Sequence, residues 1–484
     1  MNKLFGALFL SGLMLFAYGC SKSDDHSSVD TPPETGGSSS GSISNWLTTD
    51  TEAFLLAEQK PVDFSNQVGD FSIQLDTTVT YQTMDGFGAA LTGSSAYLIN
   101  NLSAENRAKL LTDLFDPAKG IGINYLRITI GSSDFSIGTY SYCDTGNIND
   151  FDIPNQDRKD LLPVLKEILQ INPTIKILAS PWSAPAWMKQ NNNMYGGSLK
   201  KDPAIYNDFA EYFVKYVQAF EKEGIHIDAL TIQNEPMYET SGYPTMKMEW
   251  DEQNMIIRDY LGPKFVVNGI KTKIVIWDHN FDMEYYPANI LNDPLTSQYV
   301  AGTGWHGYAG DPSAIDVLQG AYPDKDTYFT EISGGGWNTG SRMTTMFYYM
   351  ENFLMATVNR GSKNFLMWNL ALNTNNGPVT TSGGCQDCRG VVTIRDDGTY
   401  YRELEYYVIG HFSKAVRLDA KRIKYTANKM PGSMLVSSFV NTDGSKVVVV
   451  TNRTGSKQNY NIRCGTRRFI YEQPAGSVVT FKFN

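Results

Sequence analysis

Between residues 84 and 411, short apolar runs alternate with longer stretches in which apolar residues recur every three to four positions. The short runs have the length and composition of strands that are buried on both faces. They lie at residues 84–89, 125–130, 175–180, 229–233, 274–277, 299–305, 327–330 and 365–368. The chain therefore predicts eight buried strands.

Four of the amphipathic stretches between these runs predict helices that begin near Ser103, Asp157, Tyr206 and Met343. Ser103 is a suitable N-cap, because its hydroxyl can accept a hydrogen bond from the first helical turn. The last two stretches end at a glycine, which commonly terminates a helix. Eight buried strands that alternate with helices predict a (β/α)8 TIM barrel over residues 83–412.

The pattern changes after residue 412. Short alternating stretches, separated by Asp-Gly, Thr-Gly and Ala-Gly turns, continue to residue 484 and predict an antiparallel β domain. The stretch 70–81 is also strand-like although it precedes the barrel, and it is a candidate to pair with that domain.

The N-terminus has the features of an export signal. Lys3 precedes an apolar run that is too short and too close to the N-terminus for a spanning helix, so residues 1–19 predict a signal peptide. The stretch FAYGC resembles a bacterial lipoprotein signal, in which Cys20 becomes the lipidated first residue. The alternative is a plain signal peptide with an incidental cysteine. Residues 20–45, rich in Ser, Gly, Pro and Asp, predict a flexible tether.

The acidic stretch 23–25 resembles the export signal of cell-surface lipoproteins in some Gram-negative bacteria. We therefore expect an exported protein that is lipid-anchored to the outer membrane at the cell surface, with the periplasmic face as the alternative. The formal charge of -10 argues against nucleic acid or an anionic membrane as the main partner. The expected membrane contact is the lipid anchor alone, and the expected state is a monomer.

Aromatic residues make up 12% of the 484 residues, with 28 Tyr and 8 Trp. One interpretation is a large core with additional surface tyrosines. The other is a cleft that binds sugars, because aromatic faces stack on the apolar faces of pyranose rings. Composition alone leaves both interpretations open.

Candidate chemistry follows from the barrel, since active sites in this fold lie at the C-terminal ends of the strands. Polar or aromatic side chains follow nearly every predicted strand there. They are Arg127 and Asp134 after the second strand, Trp182 after the third, Asn234 and Glu235 after the fourth, Trp277, Asp278 and His279 after the fifth, His306 and Tyr308 after the sixth, Glu331 after the seventh, and Trp368 and Asn369 after the eighth.

Glu235 and Glu331 take equivalent places on facing sides of the predicted barrel mouth. A carboxylate at the end of a buried strand costs free energy unless it is paired or used, and an ion pair with Arg127 is the structural alternative. Two carboxyls above aromatic residues suit glycoside hydrolysis, in which one donates a proton and the other attacks the anomeric carbon. Asp278 and His279 supply only two metal ligands, so no metal or other cofactor is expected.

Eight ordered blocks together resemble glycoside hydrolase family 30, the family of glucosylceramidases and microbial β-1,6-glucanases. They are MDGFGAALTGSSA, YLRITIGSSDFSIGTYSYCDT, LASPWSAPAWMK, QNEP, WHGY, TEISGG, WNLALNTNNGP and GHFSKAV. The resemblance extends from about residue 70 to the C-terminus. It implies that the accessory domain is a β-sandwich, formed by residues 413–484 and by strands from residues 46–82.

The resemblance also implies roles for the candidate residues. Glu235 would be the general acid/base and Glu331 the nucleophile of a retaining double-displacement mechanism. Asn234 would bind the sugar 2-hydroxyl, and Arg127 would support the nucleophile. The remaining predicted contacts to the sugar are Asp134, Trp182, His306, Tyr308, Trp368 and Asn369.

The implied substrate is a β-glucan, with β-1,6-glucan favoured, because a tethered surface enzyme encounters polysaccharides more often than ceramides. The alternatives are glucosylceramide and another β-glucoside or β-xyloside. An inactive glycan-binding lipoprotein is the alternative outside catalysis. The presence of both Glu235 and Glu331 argues against it.

Four cysteines remain besides Cys20, and two of them form the motif CQDC at Cys385 and Cys388. No second Cys/His pair has the spacing of a zinc site. A structural disulfide and a pair of free thiols both remain open for this motif, which borders the predicted cleft.

Overall fold

Eight parallel strands form a closed barrel, as the hydrophobic pattern predicts. Each strand pairs with its sequence neighbours, and the eighth pairs with the first. In chain order the strands are β1 Gly86–Ala90, β2 Tyr125–Ile130, β3 Lys176–Pro181, β4 Ala229–Thr231, β5 Lys273–Asn280, β6 Val300–His306, β7 Asp326–Glu331 and β8 Ser362–Met367. All eight coincide with the predicted apolar runs to within a few residues.

The structure is a computed structural model that describes residues 42–381 and 383–484. The predicted signal peptide, the lipidated Cys20, the acidic stretch 23–25 and most of the predicted tether lie outside these residues and stay predictions. Across the two described ranges, no helix combines the length and apolar character needed to span a membrane.

Helices surround the barrel, and the four predicted ones are present. The α-helices are Gly93–Asn100, Ala104–Phe115, Leu162–Ile171, Pro203–Lys222, Trp250–Ile256, Gly262–Val267, Tyr285–Leu291, Pro294–Ser297, Ala314–Ala321, Arg342–Tyr349, Met355–Asn359 and Leu404–Ser413. Short 3-10 turns lie at Ile148–Asp150, Ala186–Met188 and Phe281–Met283, and π-helical turns at Asp157–Leu161, Ile257–Leu261 and Met350–Leu354.

Two of the helix starts show why the sequence folds this way. The Ser103 hydroxyl accepts a hydrogen bond from the backbone N–H of Asn106 at 3.2 Å, as predicted for an N-cap. Asp202 accepts from the N–H of Ala204 at 2.9 Å, and Pro203 occupies the first helical position, where its missing N–H costs nothing.

Side chains fill the inside of the barrel. Tyr125, Leu178, Ala229, Val275, Tyr328 and Leu366 form a buried cluster drawn from six of the eight strands. The barrel is therefore a packed core, and ligands can enter only from its ends.

The second layer is a ten-stranded sheet that curls over on itself. Its strands are Ser42–Thr49, Ala57–Glu58, Val62–Asp63, Phe71–Thr83, Lys421–Asn428, Met434–Val440, Lys446–Asn452, Gln458–Cys464, Arg467–Gln473 and Ser477–Phe483. Ile43 near one edge and Phe469 near the other belong to a single buried core. The ring of Phe64 closes this core by edge contacts to Phe469 and Phe483.

This sheet is the β-sandwich that the family resemblance implies, and strands from both ends of the chain contribute to it. Phe71–Thr83 lies between Lys421–Asn428 and Gln458–Cys464. One predicted boundary is wrong: Ser42–Thr49 pairs with Ser477–Phe483, so residues 42–45 belong to the sandwich and not to the tether. Ile43 is the one apolar residue among Ser42, Ser44 and Asn45, and the polarity of the segment concealed the strand.

The last barrel helix joins the two layers. His411 on Leu404–Ser413 is fully buried and bonds the hydroxyls of Thr48 at 2.8 Å and Thr480 at 2.9 Å. Burial lowers the pKa of His411 to about 3, so this contact is neutral at physiological pH.

Candidate active site

The C-terminal mouth of the barrel brings the two predicted carboxylates together. Glu331 is the last residue of β7, and Glu235 follows β4 in the loop on the facing side. Glu235 has a positive φ of 45°, and its N–H donates to the Asp278 carbonyl at 3.0 Å, which fixes its position. One oxygen of each carboxylate lies within 4.8 Å of the other.

Arg127 on β2 lies beneath the two carboxylates and has no exposed surface. Its guanidinium donates to Glu331 Oε2, to Asn234 Oδ1 at 2.8 Å and to Asp278 Oδ2 at 2.7 Å. Arg127 therefore contacts the predicted nucleophile, and it also orients Asn234. With its carbonyl oxygen held, Asn234 has its amide N–H groups left to donate to a ligand.

Asp278 is the hub of this network. It is fully buried and accepts from Arg127, Ser180, Thr231, His306 and Thr330, at distances between 2.7 and 3.1 Å. Burial would raise the pKa of Asp278, but the charge of Arg127 and the bond from His306 outweigh it and hold the pKa well below its usual range. Asp278 is therefore a permanent anion.

His306 links this hub to Glu235. Its Nδ1 lies 2.9 Å from Glu235 Oε1 and its Nε2 lies 3.0 Å from Asp278 Oδ1. Burial alone would lower the pKa of His306, but the charge of Glu331 and the bonds to Asp278 and Glu235 raise it to about 9. The imidazolium donates to both carboxylates at neutral pH.

The pKa values of the two glutamates respond to opposite influences. For Glu235, the bond and charge of His306 outweigh burial and lower the pKa. For Glu331, burial and the nearby charge of Glu235 raise the pKa against the opposing charges of His306 and Arg127. The proton that an acid catalyst needs is therefore held by the Glu235–His306 couple, whose two groups are joined by a hydrogen bond of 2.9 Å.

Two aromatic residues form the floor. The rings of Trp182 and Trp368 stack with centroids 4.9 Å apart, and the Arg127 guanidinium lies 4.8 Å from the Trp182 centroid. Both indoles are buried in a small cluster with Phe135. Tyr308 follows β6 and is partly exposed, and its hydroxyl donates to Glu331 Oε1 at 2.8 Å.

Asp134 offers an acceptor without a partner. Its Oδ1 is buried and unbonded in the described part of the chain. Burial and the charge of Glu331 raise the pKa of Asp134 to about 8. An unpaired buried polar atom costs free energy, and a sugar hydroxyl would satisfy this one.

Two of the predicted sugar contacts are fully buried. His306 and Asn369 have no exposed surface, and their contact to a sugar stays a prediction. His306 acts through Glu235, and Asn369 accepts a hydrogen bond from Thr92 at 3.0 Å. The sequence places both residues correctly at strand ends, but it does not show the depth to which each side chain is buried.

Sequence reasoning missed the role of Asp278 and the position of Tyr243. Asp278 is turned into the barrel by positive φ angles at Trp277 and Asp278, where the pairing register of β5 and β6 shifts. The one sequence feature that could have indicated it is the presence of hydroxyl residues near the ends of three strands, Ser180, Thr231 and Thr330. Tyr243, in the loop after Glu235, packs against the Trp182 cluster.

The cluster is a poor metal site although its donor atoms are close. Glu235, His306 and Glu331 each offer an atom within the same 4.8 Å. A cation there would face the guanidinium of Arg127 and a protonated His306, and both imidazole nitrogens already have partners. We assign no metal to these residues.

The disulfide alternative for the CQDC motif is the one present, since Cys385 and Cys388 are bonded. Disulfides are typical of proteins in oxidising compartments. The bonded pair packs on the Trp182 and Trp368 cluster at the edge of the mouth.

Comparison with known proteins identifies the family. Residues 84–416 match the glycosyl hydrolase family 30 TIM-barrel domain, and residues 419–481 match the glycosyl hydrolase family 30 beta sandwich domain. The chain belongs to glycosyl hydrolase family 30. It is therefore a glycoside hydrolase, and its two layers are the two domains of that family.

Three relatives illustrate the range of this similarity. The endo-1,6-beta-D-glucanase neg1 of Aspergillus fumigatus is 35% identical, over 83% of this chain and 85% of its own. The lysosomal acid glucosylceramidase of Mus musculus is 30% identical, over 77% and 76% of the two chains. The solved structure of the endo-beta1,6-glucanase BT3312 superposes with a TM-score of 0.87 at 37% identity, covering 92% of this chain and 99% of that one.

The pH dependence of this family 30 site tests the proton-holding couple. A raised pKa near 9 means that His306 is charged below that pH and loses its proton as the pH rises through about 9. We expect kcat/KM to fall about tenfold per pH unit above 9. In His306→Asn the fall in kcat/KM should begin at a lower pH, because the proton is then held by Glu235 alone. If the fall begins at the same pH in both forms, another group controls the alkaline pH dependence.

Proposed function

We propose that this protein is an endo-acting β-1,6-glucanase that retains the configuration at the anomeric carbon. The retaining mechanism is supported by the short distance between the carboxylates, since an oxygen of Glu235 lies within 4.8 Å of an oxygen of Glu331. Retaining glycosidases place their carboxyl groups about 5–5.5 Å apart, whereas inverting enzymes need about 6.5–9.5 Å to admit a water molecule. The close approach supports direct attack by one carboxylate.

Glu331 is assigned as the nucleophile and Glu235 as the acid/base. Both oxygens of Glu331 accept hydrogen bonds, from Arg127 and from Tyr308, which hold the carboxylate in one orientation. Glu235 contacts His306, which can supply a proton. In the first step a Glu331 oxygen bonds to the anomeric carbon, the glycosidic bond breaks, and the leaving oxygen takes a proton from Glu235.

The network couples these two events. The charge of Glu331 is the largest influence that raises the pKa of His306. That charge disappears as the covalent glycosyl-enzyme forms, so His306 becomes more acidic when Glu235 must deliver a proton. In the second step a water molecule gives a proton to Glu235, its oxygen bonds to the anomeric carbon, and Glu331 leaves as a carboxylate.

Two side chains are placed to hold the sugar. Asn234 has free amide donors beside the acid/base, suited to a 2-hydroxyl whose hydrogen bond strengthens in the transition state. Asp134 presents its unpaired oxygen near the nucleophile. The indoles of Trp182 and Trp368 supply the apolar surface between them.

The choice of substrate rests on the relatives. The two β-1,6-glucanases are 35% and 37% identical to this chain, against 30% for the glucosylceramidase of Mus musculus. Glucosylceramide is therefore the second candidate. In both substrates Glu235 and Glu331 would break a β-glucosidic bond. The two substrates differ in the leaving group.

A product profile separates the two candidates. The protein is incubated with a β-1,6-glucan, a β-1,3-glucan and glucosylceramide, with Glu331→Gln as the control. We expect β-1,6-linked oligosaccharides early, from the β-1,6-glucan alone, with the β-anomer first in proton NMR. Release of glucose and ceramide from the lipid alone would support the second candidate. An α-anomer formed first would refute retention.

A further inference from the structure

Residues 374–391 connect two short strands, Ala371–Asn373 and Val392–Ile394, above the mouth of the barrel. The Cys385–Cys388 bond closes a four-residue ring within this segment, which we name the disulfide loop. All of it except Ser382 is described by the structure. It contacts three other loops, and each of those loops carries a residue of the proposed active site.

The first contact holds the loop of Asp134. The N–H of Thr380 donates to the Asp134 carbonyl at 2.7 Å, and the Thr380 hydroxyl donates to the Ser133 carbonyl at 2.6 Å. The N–H of Ser136 donates back to the Thr380 hydroxyl at 2.9 Å. Gly384 lies so close that an added Cβ would be 3.3 Å from the Cβ of Asp134. The disulfide loop therefore fixes both the backbone and the side-chain stem of Asp134.

The second contact holds the segment that follows the nucleophile. Gly335 pairs with Cys388 in a short antiparallel ladder, and the N–H of Gly336 donates to the Asp387 carbonyl at 2.8 Å. One of the two disulfide cysteines is thus paired with the backbone only four residues beyond Glu331.

The same ladder is anchored to the barrel from below. Arg389, next to Cys388, donates to the buried Glu405 at 2.7 Å. Gly334 rests directly on this carboxylate, because an added Cβ would lie 1.8 Å from Glu405 Oε1. The ladder is therefore fixed on two sides, by the disulfide and by the Arg389–Glu405 ion pair.

The third contact reaches the loop of the acid/base. The hydroxyl of Thr381 donates to the Gly242 carbonyl, and the backbones of Gly242 and Gly383 touch without room for side chains. Tyr243, the next residue, packs on the cluster that includes Trp182, Trp368 and both disulfide cysteines.

We propose that the Cys385–Cys388 disulfide is a positioning element of this active site. By fixing the turn between Gly384, which lies against Asp134, and Cys388, which pairs with Gly335, it holds Asp134 and the segment after Glu331 in fixed places relative to each other. The sugar-binding role of Asp134 rests on the proposed function; the contacts of the loop do not. A ring of four residues removes less entropy from the unfolded chain than a long loop does, so we expect only a small change in Tm when this bond is lost.

The test compares Cys385→Ser/Cys388→Ser with wild type and with Cys464→Ser, a matched control at a free cysteine in the sandwich. We expect kcat/KM on β-1,6-glucan to fall about 10- to 100-fold in the double variant, mostly through KM, with Tm nearly unchanged. Cys464→Ser should behave as wild type. A double variant with wild-type kcat/KM would overturn the proposal.

A coupling measurement separates positioning from a general loss of structure. Asp134→Asn is combined with the double cysteine variant, and all four forms are assayed. If the disulfide acts through Asp134, the two losses are not additive, and the combined form is little worse than Asp134→Asn alone. Strictly additive losses would contradict positioning through this residue.

Reversible reduction covers the case in which the double variant does not fold. Dithiothreitol converts the disulfide to two thiols and itself to a cyclic disulfide, and thiol titration confirms the change. We expect activity to fall on reduction and to return on reoxidation. Full activity of the reduced enzyme would refute the proposal. If wild type cleaves 4-nitrophenyl β-glucoside but no β-1,6-glucan, the proposed substrate is wrong, and the disulfide is tested on the aryl glucoside.

Discussion

Glu331→Gln is expected to lower kcat by about 10⁴-fold or more on every substrate, because the amide cannot form the glycosyl-enzyme. Folding should change little, since glutamine keeps the size of the side chain and its carbonyl oxygen can still accept from Arg127. The measurement is kcat on β-1,6-glucan and on 4-nitrophenyl β-glucoside, together with Tm.

Glu235→Gln is the matched variant, because it replaces the other carboxyl of the pair, whose oxygen lies within 4.8 Å of Glu331. On glucan we expect a loss of about 10²- to 10⁴-fold, the usual contribution of a proton donor. On an aryl glucoside whose leaving group needs no proton, the first step should be much less affected. If Glu331→Gln also kept activity on the aryl glucoside, the two roles would have to be exchanged.

The eight barrel strands could be predicted because each is a buried apolar run between amphipathic helices. Such runs depend on local composition, and Tyr125–Ile130 is predicted to the residue. The positions of Glu235 and Glu331 follow from the same pattern, since a residue at the end of a barrel strand must lie at the mouth. The order of the strands therefore predicts approximately where the catalytic residues lie.

The buried connections within the site could not be predicted. Asp278 takes its place only because β5 changes register at Trp277, and positive φ angles in non-glycine residues leave no trace in the sequence. Likewise, the burial of His306 and Asn369 depends on neighbours from distant parts of the chain. The disulfide depends on how the long loop after β8 packs, which the spacing of two cysteines does not determine.

Asp278→Asn is expected to be the most damaging change away from the two glutamates. Five donors point at this carboxylate, and two of them, Arg127 and His306, carry positive charge. An asparagine must turn its amide nitrogen towards some of those donors, and it leaves the buried charges without their counter-ion. Breaking a buried ion pair costs about 3–5 kcal/mol, and we expect that loss in the free energy of unfolding.

The effect on catalysis follows from the same loss. Without the Asp278 charge, the pKa of His306 falls, and Arg127 is free to shift against Glu331 and Asn234. We expect kcat to drop at least about 10²-fold, the cost of displacing catalytic groups by about 1 Å. Denaturant unfolding and kcat at neutral pH measure the two effects.

The matched control is Asp316→Asn, which breaks an ion pair with Arg360 on the outside of the barrel. Both side chains are exposed, 58% for Asp316 and 35% for Arg360, so water can solvate Arg360 after the change, and the expected cost is at most about 1 kcal/mol with kcat unchanged. If the two variants lost the same stability and both kept full kcat, Asp278 would be an ordinary ion-pair residue. A large loss in Asp278→Asn alone would instead show that catalysis by Glu235 and Glu331 depends on the buried charges beneath them.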